Sequence, residues 1–224
     1  KVVNGVVKKK KNDSKLTDQT QEKISEQELL EKYDRESSYR KKLGKWTWVV
    51  TFVGIYLTLF HLYTGFFGTM QSQIQGAIHV GTALGLIFLL YPVKRGLHAN
   101  GVPWYDVVLA FLAIFVGYYK IIQFDEILRA RIHGYETLDI IVSVVGVVLL
   151  LEATRRCVGL PIVIVGLVAI SYALFGNFIP SQTLSHAGFS FEKVFTDLWF
   201  RENSIFGIPV QVSSKFIYLF LLFG

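Results

Sequence analysis

The sequence predicts an all-α polytopic membrane protein with about five transmembrane helices and the start of a sixth, its N-terminus in the cytoplasm. Three observations predict this. Of the 224 residues, 52% are hydrophobic and 18% charged, an apolar excess that a soluble domain of this size would not bury. Five apolar runs approach or reach the length of about 20 residues needed to cross a hydrocarbon core as a helix. Lys and Arg collect on one side of those runs, as the positive-inside rule requires.

Residues 1–45 form a charged tail, with thirteen Lys/Arg against eight Asp/Glu, so nearly all of the net charge of +6 lies there. The Lys8 to Lys11 cluster and the polar stretch to about residue 24 predict disorder. From Ser25 a capping box with Glu28 and the i,i+4 pairs Glu28/Lys32, Glu31/Arg35 and Glu36/Arg40 predict a short solvated helix leading to Gly44. Asn12-Asp13-Ser14 has the form of a glycosylation acceptor, but a cytoplasmic tail does not meet the transferase. The first apolar run begins at Trp46, too late and too long for a cleavable signal peptide. The missing initiator Met and the final apolar run from Phe216 lead us to expect a chain truncated at both ends.

The five runs are 46–68, 74–93, 102–122, 137–153 and 159–178. Trp46, Trp48, Tyr63, Tyr91, Trp104, Tyr118 and Tyr119 fall near their ends, where interfacial aromatic anchors belong. The fourth run is the shortest and relies on Glu152 snorkelling towards Arg155 and Arg156. With the N-terminus inside, seventeen basic residues lie on the cytoplasmic side. Five lie outside (Lys120, Arg129, Arg131, Lys193 and Arg201), with Lys215 unassigned. The loop 120–136 carries Ile121, Phe124, Ile127, Leu128 and Ile132 at spacings that suit an interfacial helix. After the fifth run, Phe191, Val194, Phe195, Leu198 and Trp199 oppose Glu192, Lys193 and Asp197, which predicts an amphipathic helix in the outer interface. Residues 203–214 read as a bend or helix start ahead of the sixth span.

Composition and motifs exclude several classes. The basic residues sit in a tail and at helix ends rather than on a folded basic surface, so no nucleic-acid partner is expected. Cys157 is the single cysteine and closes no internal disulfide. No phosphate-binding Gly loop, HExxH or paired-cysteine motif occurs, and no Ser/His/Asp set argues for catalysis, so no enzyme activity is expected. His61 and His79 fall in the outer halves of the first two spans, where two axial ligands to a b-type haem are geometrically conceivable. The blander reading has each bonded to a neighbouring helix or reaching the interface. His98, His133 and His186 fall in loops and read as solvated. Lys215 reads as an interfacial anchor if the sixth span begins at Phe216, and as a functional charge otherwise. Gly81, Gly85, Gly146, Gly159 and Gly166, with Thr82, Ser143 and Ser171 nearby, suit close helix packing. Asp106 and Asp139 lie within a turn of a span start, where carboxylates suit the helix N-terminus.

Several stretches resemble one family. They are Phe124-Asp125-Glu126, Thr137-Leu138-Asp139, Leu150-Leu151-Glu152-Ala153-Thr154-Arg155-Arg156 with Gly159-Leu160-Pro161, and His186-Ala187-Gly188-Phe189-Ser190. Ile205-Phe206-Gly207-Ile208-Pro209-Val210 and Phe220-Leu221-Leu222-Phe223-Gly224 complete the set. Over residues 45–224 the chain resembles the fused permease of tripartite ATP-independent periplasmic (TRAP) transporters that work with the TAXI type of solute-binding protein. The Leu-Glu-Ala-Thr-Arg-Arg and Phe-Gly-Ile-Pro stretches are its most specific parts, and the tail shows no match.

The resemblance implies a cytoplasmic tail (1–45), a four-helix small membrane domain (46–156), a connecting transmembrane helix (157–179) and the entrance to a large transport domain (180–224). It implies sodium-driven uptake of an organic acid or related solute delivered by a periplasmic solute-binding protein, in the inner membrane of a bacterium or archaeon. The expected partners are that binding protein, the remainder of the permease and the lipid bilayer. Sodium and substrate sites are expected beyond residue 224, so no catalytic, substrate, cofactor or metal residue is named in this segment. The alternatives are a haem-binding redox subunit using His61 and His79, and a membrane assembly factor with no transported ligand.

Overall fold

The computed structural model describes residues 39–40, 42–94, 101–180 and 183–223. The chain is all-α, and among the described residues five helices are long and apolar enough to cross a membrane. They are α1 (Trp46–Phe67), α2 (Ser72–Leu90), α3 (Trp104–Ile122), α5 (Thr137–Cys157) and α6 (Leu160–Phe175), the last prolonged by a 3-10 turn, Gly176–Phe178. Between α3 and α5 lies the short α4 (Phe124–His133), and α7 (Phe191–Phe200) follows α6. The last helical stretch has three parts: α8 (Ile208–Val212), one turn of π-helix (Ser213–Ile217) and α9 (Tyr218–Phe223).

Local chemistry accounts for the boundaries. Pro161 and Pro209 sit in the first turns of α6 and α8, where the missing N–H costs nothing. At the start of α5, Glu136 and Asp139 form a reciprocal capping box, with Asp139 Oδ2 accepting the Glu136 N–H at 3.1 Å. Ser190 caps α7 by accepting the Lys193 N–H. α5 runs on to Cys157 rather than stopping near Ala153, because Glu152 is neutralised by Arg155 and Arg156 one turn later.

α2 is the centre of the bundle. It packs most extensively on α3, and a side chain on either helix would keep the two apart where Gly81 faces Gly117. A Cβ added to Gly117 would lie 2.5 Å from the Gly81 Cα. α5 covers one side of this pair, and α7 packs on α5, where the Trp199 indole lies against Gly146 with room for no Cβ. The core therefore runs from Phe88 and Leu84 through Ala113 and Val116 to Trp199, Phe200 and Phe206. α1 and α6 lie at the periphery, with most of their large apolar side chains exposed, as helices facing lipid would be.

Three expectations are corrected. The tail helix predicted from residue 25 lies mostly outside the described residues. Where residues 39–44 are described they are not helical, because the Arg40 N–H is spent on the Leu90 carbonyl. α7 turns its apolar face to protein rather than to lipid: Val194, Phe195, Trp199 and Phe200 are all buried, because Trp199 finds the notch at Gly146. The stretch before the sixth apolar segment is helical from Ile208 onwards, so Lys215 lies inside a helix rather than at its start.

Candidate functional site

The sequence places polar side chains on one stripe of α2, at Gln75, His79 and Thr82, spaced four and three residues apart. Thr58 and His61 form a shorter stripe on α1. The fold turns these stripes towards each other and towards the π-turn. His61 Nε2 and His79 Nδ1 share a hydrogen bond at 3.0 Å, and His79 Nε2 meets Ser213 Oγ at 3.2 Å. Gln75 Nε2 donates to the Ser214 carbonyl, and the Tyr218 hydroxyl meets Thr58 Oγ1 at 3.0 Å while its ring lies 4.2 Å from that of His61. Nearby, the Tyr118 hydroxyl joins Tyr56 of α1 (2.9 Å) to Thr82 of α2 (3.4 Å).

This polar seam lies inside apolar helices, where each unpaired group is costly. π-turns recur at functional sites, and here the turn carries Ser213 and Ser214, which bond α2. Some buried polar atoms make no hydrogen bond: His61 Nδ1 and Gln75 Oε1 on the seam, and both amide atoms of Gln73 elsewhere on α2. Lys215, inside the same turn, gives its ammonium to Ser72 Oγ at 2.9 Å, at the first residue of α2. It thus reaches a helix end, as an anchor does, although it starts from within a helix.

A second polar centre closes one end of the bundle. Asp106, in the first turn of α3, is fully buried and paired with both Arg40 and Arg156, the latter at 2.8 Å. Arg40 also donates to the Phe88 and Leu89 carbonyls, and Arg156 to that of Tyr91, so both cations face the C-terminal end of α2. Glu152 links Arg156 to Arg155, which donates to the Val93 carbonyl. Three helix ends and the chain ahead of α1 are thereby tied to one carboxylate. Apart from Arg40 Nε, these groups satisfy one another, which fits a lock better than a reaction centre.

A third centre closes the opposite end. Lys120 is 2% exposed. Its ammonium donates to the Trp199 carbonyl at 3.2 Å and lies 3.7 Å from the Phe206 ring centroid. Arg131 donates to the Phe200 carbonyl and pairs with Glu202. Tyr135 stacks on Phe200, and burial pushes its phenol pKa up. The Tyr119 hydroxyl donates to Asp139 at 2.7 Å.

The structure thus brings His61 and His79 together and leaves His133 and His186 apart from them. His98 lies outside the described residues, and His133 is exposed at the end of α4. His186 is not freely solvated: it bonds the Tyr172 carbonyl and accepts the Gly188 N–H, folding its loop onto α6. Tyr119 and Lys120 are buried and Tyr118 is half-buried, each bonded to a neighbouring helix. Sequence reasoning missed the Asp106 lock, although an acid in the first turn of one span and an Arg pair at the end of another were its visible signals. It also missed Gln75, whose spacing from His79 and Thr82 on α2 could have revealed it, and Ser213, Ser214 and Tyr218, which meet the seam through the π-turn.

No family model, curated protein or solved structure matches this chain. Among the described residues, no group of three or more His, Cys, Asp or Glu side chains is arranged to hold a metal ion.

Proposed function

We propose that the chain is the scaffold part of the membrane permease of a TAXI-type TRAP transporter, a sodium-driven secondary uptake system fed by a periplasmic solute-binding protein. The observation that carries this reading is the division of the fold. α1, α2, α3 and α5 pack around α2, with one buried-charge lock joining the ends of α2, α3 and α5 and a second joining α3 to α7. α6 stands beside α5 and α7 with Val163 as its buried residue. That is a four-helix unit followed by a single crossing helix, the plan that the resemblance implies. The charged groups of the two locks bond to one another or to backbone carbonyls rather than facing an open path, which fits a static scaffold.

On this reading the N-terminus and the Asp106 lock face the cytoplasm, because the tail, the 94–95 loop and the 155–156 pair carry most of the basic residues. The transported solute is an organic acid or a similar anion, and its site lies in the large domain. The redox alternative has weaker geometric support. Imidazole–metal bonds run to about 2 Å, so two axial nitrogens stand about 4 Å apart with the macrocycle between them. Here the two rings are in direct hydrogen-bond contact at 3.0 Å, and a haem would require them to separate.

The test is uptake of labelled organic acids into proteoliposomes holding the full-length permease, with and without its binding protein and a sodium gradient. Uptake that requires both supports the proposal. Absence of uptake with folded protein, joined by an absorbance band that His79→Ala abolishes, would replace it with the redox reading. Normal solute uptake in a deletion strain would favour an assembly factor.

A further inference from the structure

An apolar groove opens between α5, α6 and α7, and the function proposed above makes no use of it. Its volume is about 410 Å³, well above the ~150 Å³ at which a dry apolar cavity takes up benzene. Its walls are Val147, Leu150 and Leu151 of α5 and, on α6, the small residues Gly166, Ala169 and Ala173 together with Ile170. Those small residues recur three and four apart, so a channel runs along one face of α6. From Gly166 to Ala173 it is about 10 Å long at the helical rise per residue.

The two ends of the groove differ. The Gly166 end is closed by Leu151, whose methyl group lies 3.3 Å from where a Gly166 Cβ would stand. The Ala173 end lies beside Phe189, whose N–H bonds the Ala173 carbonyl, and there Lys193 and Asp197 enter the wall. Asp197 is shared by two cations, Lys193 at 3.2 Å and Arg201 at 2.9 Å, so its one negative charge does not offset both. The Lys193 side chain is 47% exposed and can reach a further partner. Glu192 lines a neighbouring polar cleft and is not part of this wall.

Both α5 and α6 are of membrane-spanning length and composition, so the groove lies at bilayer depth with its polar end near one interface. Water gains little from such walls, and an empty groove would forfeit the dispersion contacts of every group lining it. Hydrocarbon chains are the surrounding solvent and fill it without cost to polar groups. We infer that the groove between α5, α6 and α7 binds one acyl chain of an anionic phospholipid, with the lipid phosphate on Lys193. The inference does not depend on what the protein transports.

The test uses the full-length protein, extracted into mild detergent and exchanged into nanodiscs containing equal amounts of phosphatidylglycerol and phosphatidylcholine. Retained lipid is read by native mass spectrometry after re-extraction. The expected result is one retained phospholipid per chain, enriched in phosphatidylglycerol. Ala173→Phe, which fills the groove, lowers retention by at least about tenfold, whereas Val165→Phe, on an exposed face of α6, leaves it unchanged. Lys193→Gln keeps the lipid but abolishes the head-group preference. If Ala173→Phe does not fold, Lys193→Gln decides, because an unchanged preference would overturn the assignment. Absence of retained lipid in the unmodified protein, or equal retention in Ala173→Phe, would also overturn it and leave the groove to another segment of protein.

Discussion

α2 and α6 are both apolar helices of membrane-spanning length, α6 the more apolar, yet 67% of the α2 span is buried and only 11% of the α6 span, which includes the 3-10 turn. Hydrophobicity does not explain the difference, because lipid solvates leucine as well as a protein interior does. What separates the two is the distribution of small and polar residues. α2 carries Gly76, Gly81 and Gly85 with Gln75, His79 and Thr82, so its backbone admits neighbours closely and its side chains need partners. α6 carries Ile, Val and Leu around its circumference, with Gly166, Ala169 and Ala173 on the groove face. In this molecule hydropathy says that a helix crosses, and the small and polar residues say where in the bundle it stands.

The largest expected effect comes from the charge that holds the α2 end. Asp106→Ala leaves the buried Arg40 without a carboxylate and Arg156 with Glu152 alone, and should cost about 3–5 kcal/mol, read as a lowered unfolding midpoint in detergent. A loss below about 1 kcal/mol would mean that water reaches the site and that the lock is superficial. Next, Gly117→Leu forces apart the α2–α3 contact and should cost about 1–3 kcal/mol by overpacking, again in the unfolding midpoint. If the substitution is neutral, the glycine contact does not set the burial of α2. His79→Ala removes the link between α1, α2 and the π-turn and should cost about 1 kcal/mol, typical of an interhelical hydrogen bond in a membrane. Its signature is faster proteolysis or exchange over residues 208–223, with residues 104–157 unchanged. Last, Val165→Ala on the exposed face of α6 should lie within about 0.5 kcal/mol of wild type, and a larger loss would contradict the peripheral placement of that helix.

The five long helices were legible because hydrocarbon requires closed backbone hydrogen bonds over a known length, which leaves a continuous apolar run in the sequence. α4 and α7 were legible from the spacing of Phe124 to Ile132 and of Phe191 to Trp199. The burial of α7 was not, because an amphipathic face suits a lipid interface and a protein groove equally well; the notch at Gly146 that decides between them lies about fifty residues away in the chain. Asp106 was read as an N-terminal carboxylate and nothing more, since its partners come from Arg40 in the tail and Arg156 at the end of α5. The pairing of His61 with His79 was foreseen as proximity. Its connection to Ser213 depends on a π-turn, for which the sequence offered no periodicity to read.

The most direct test of this account is a nitroxide scan of oxygen accessibility along residues 77–88 of α2 and 162–172 of α6, with the protein in liposomes. The account predicts uniformly low accessibility along α2, and along α6 high values broken only at the buried Val163 and at the partly buried groove positions 166 and 170. Equal accessibility on the two helices, or an α2 profile that rises and falls with the helical turn, would contradict it.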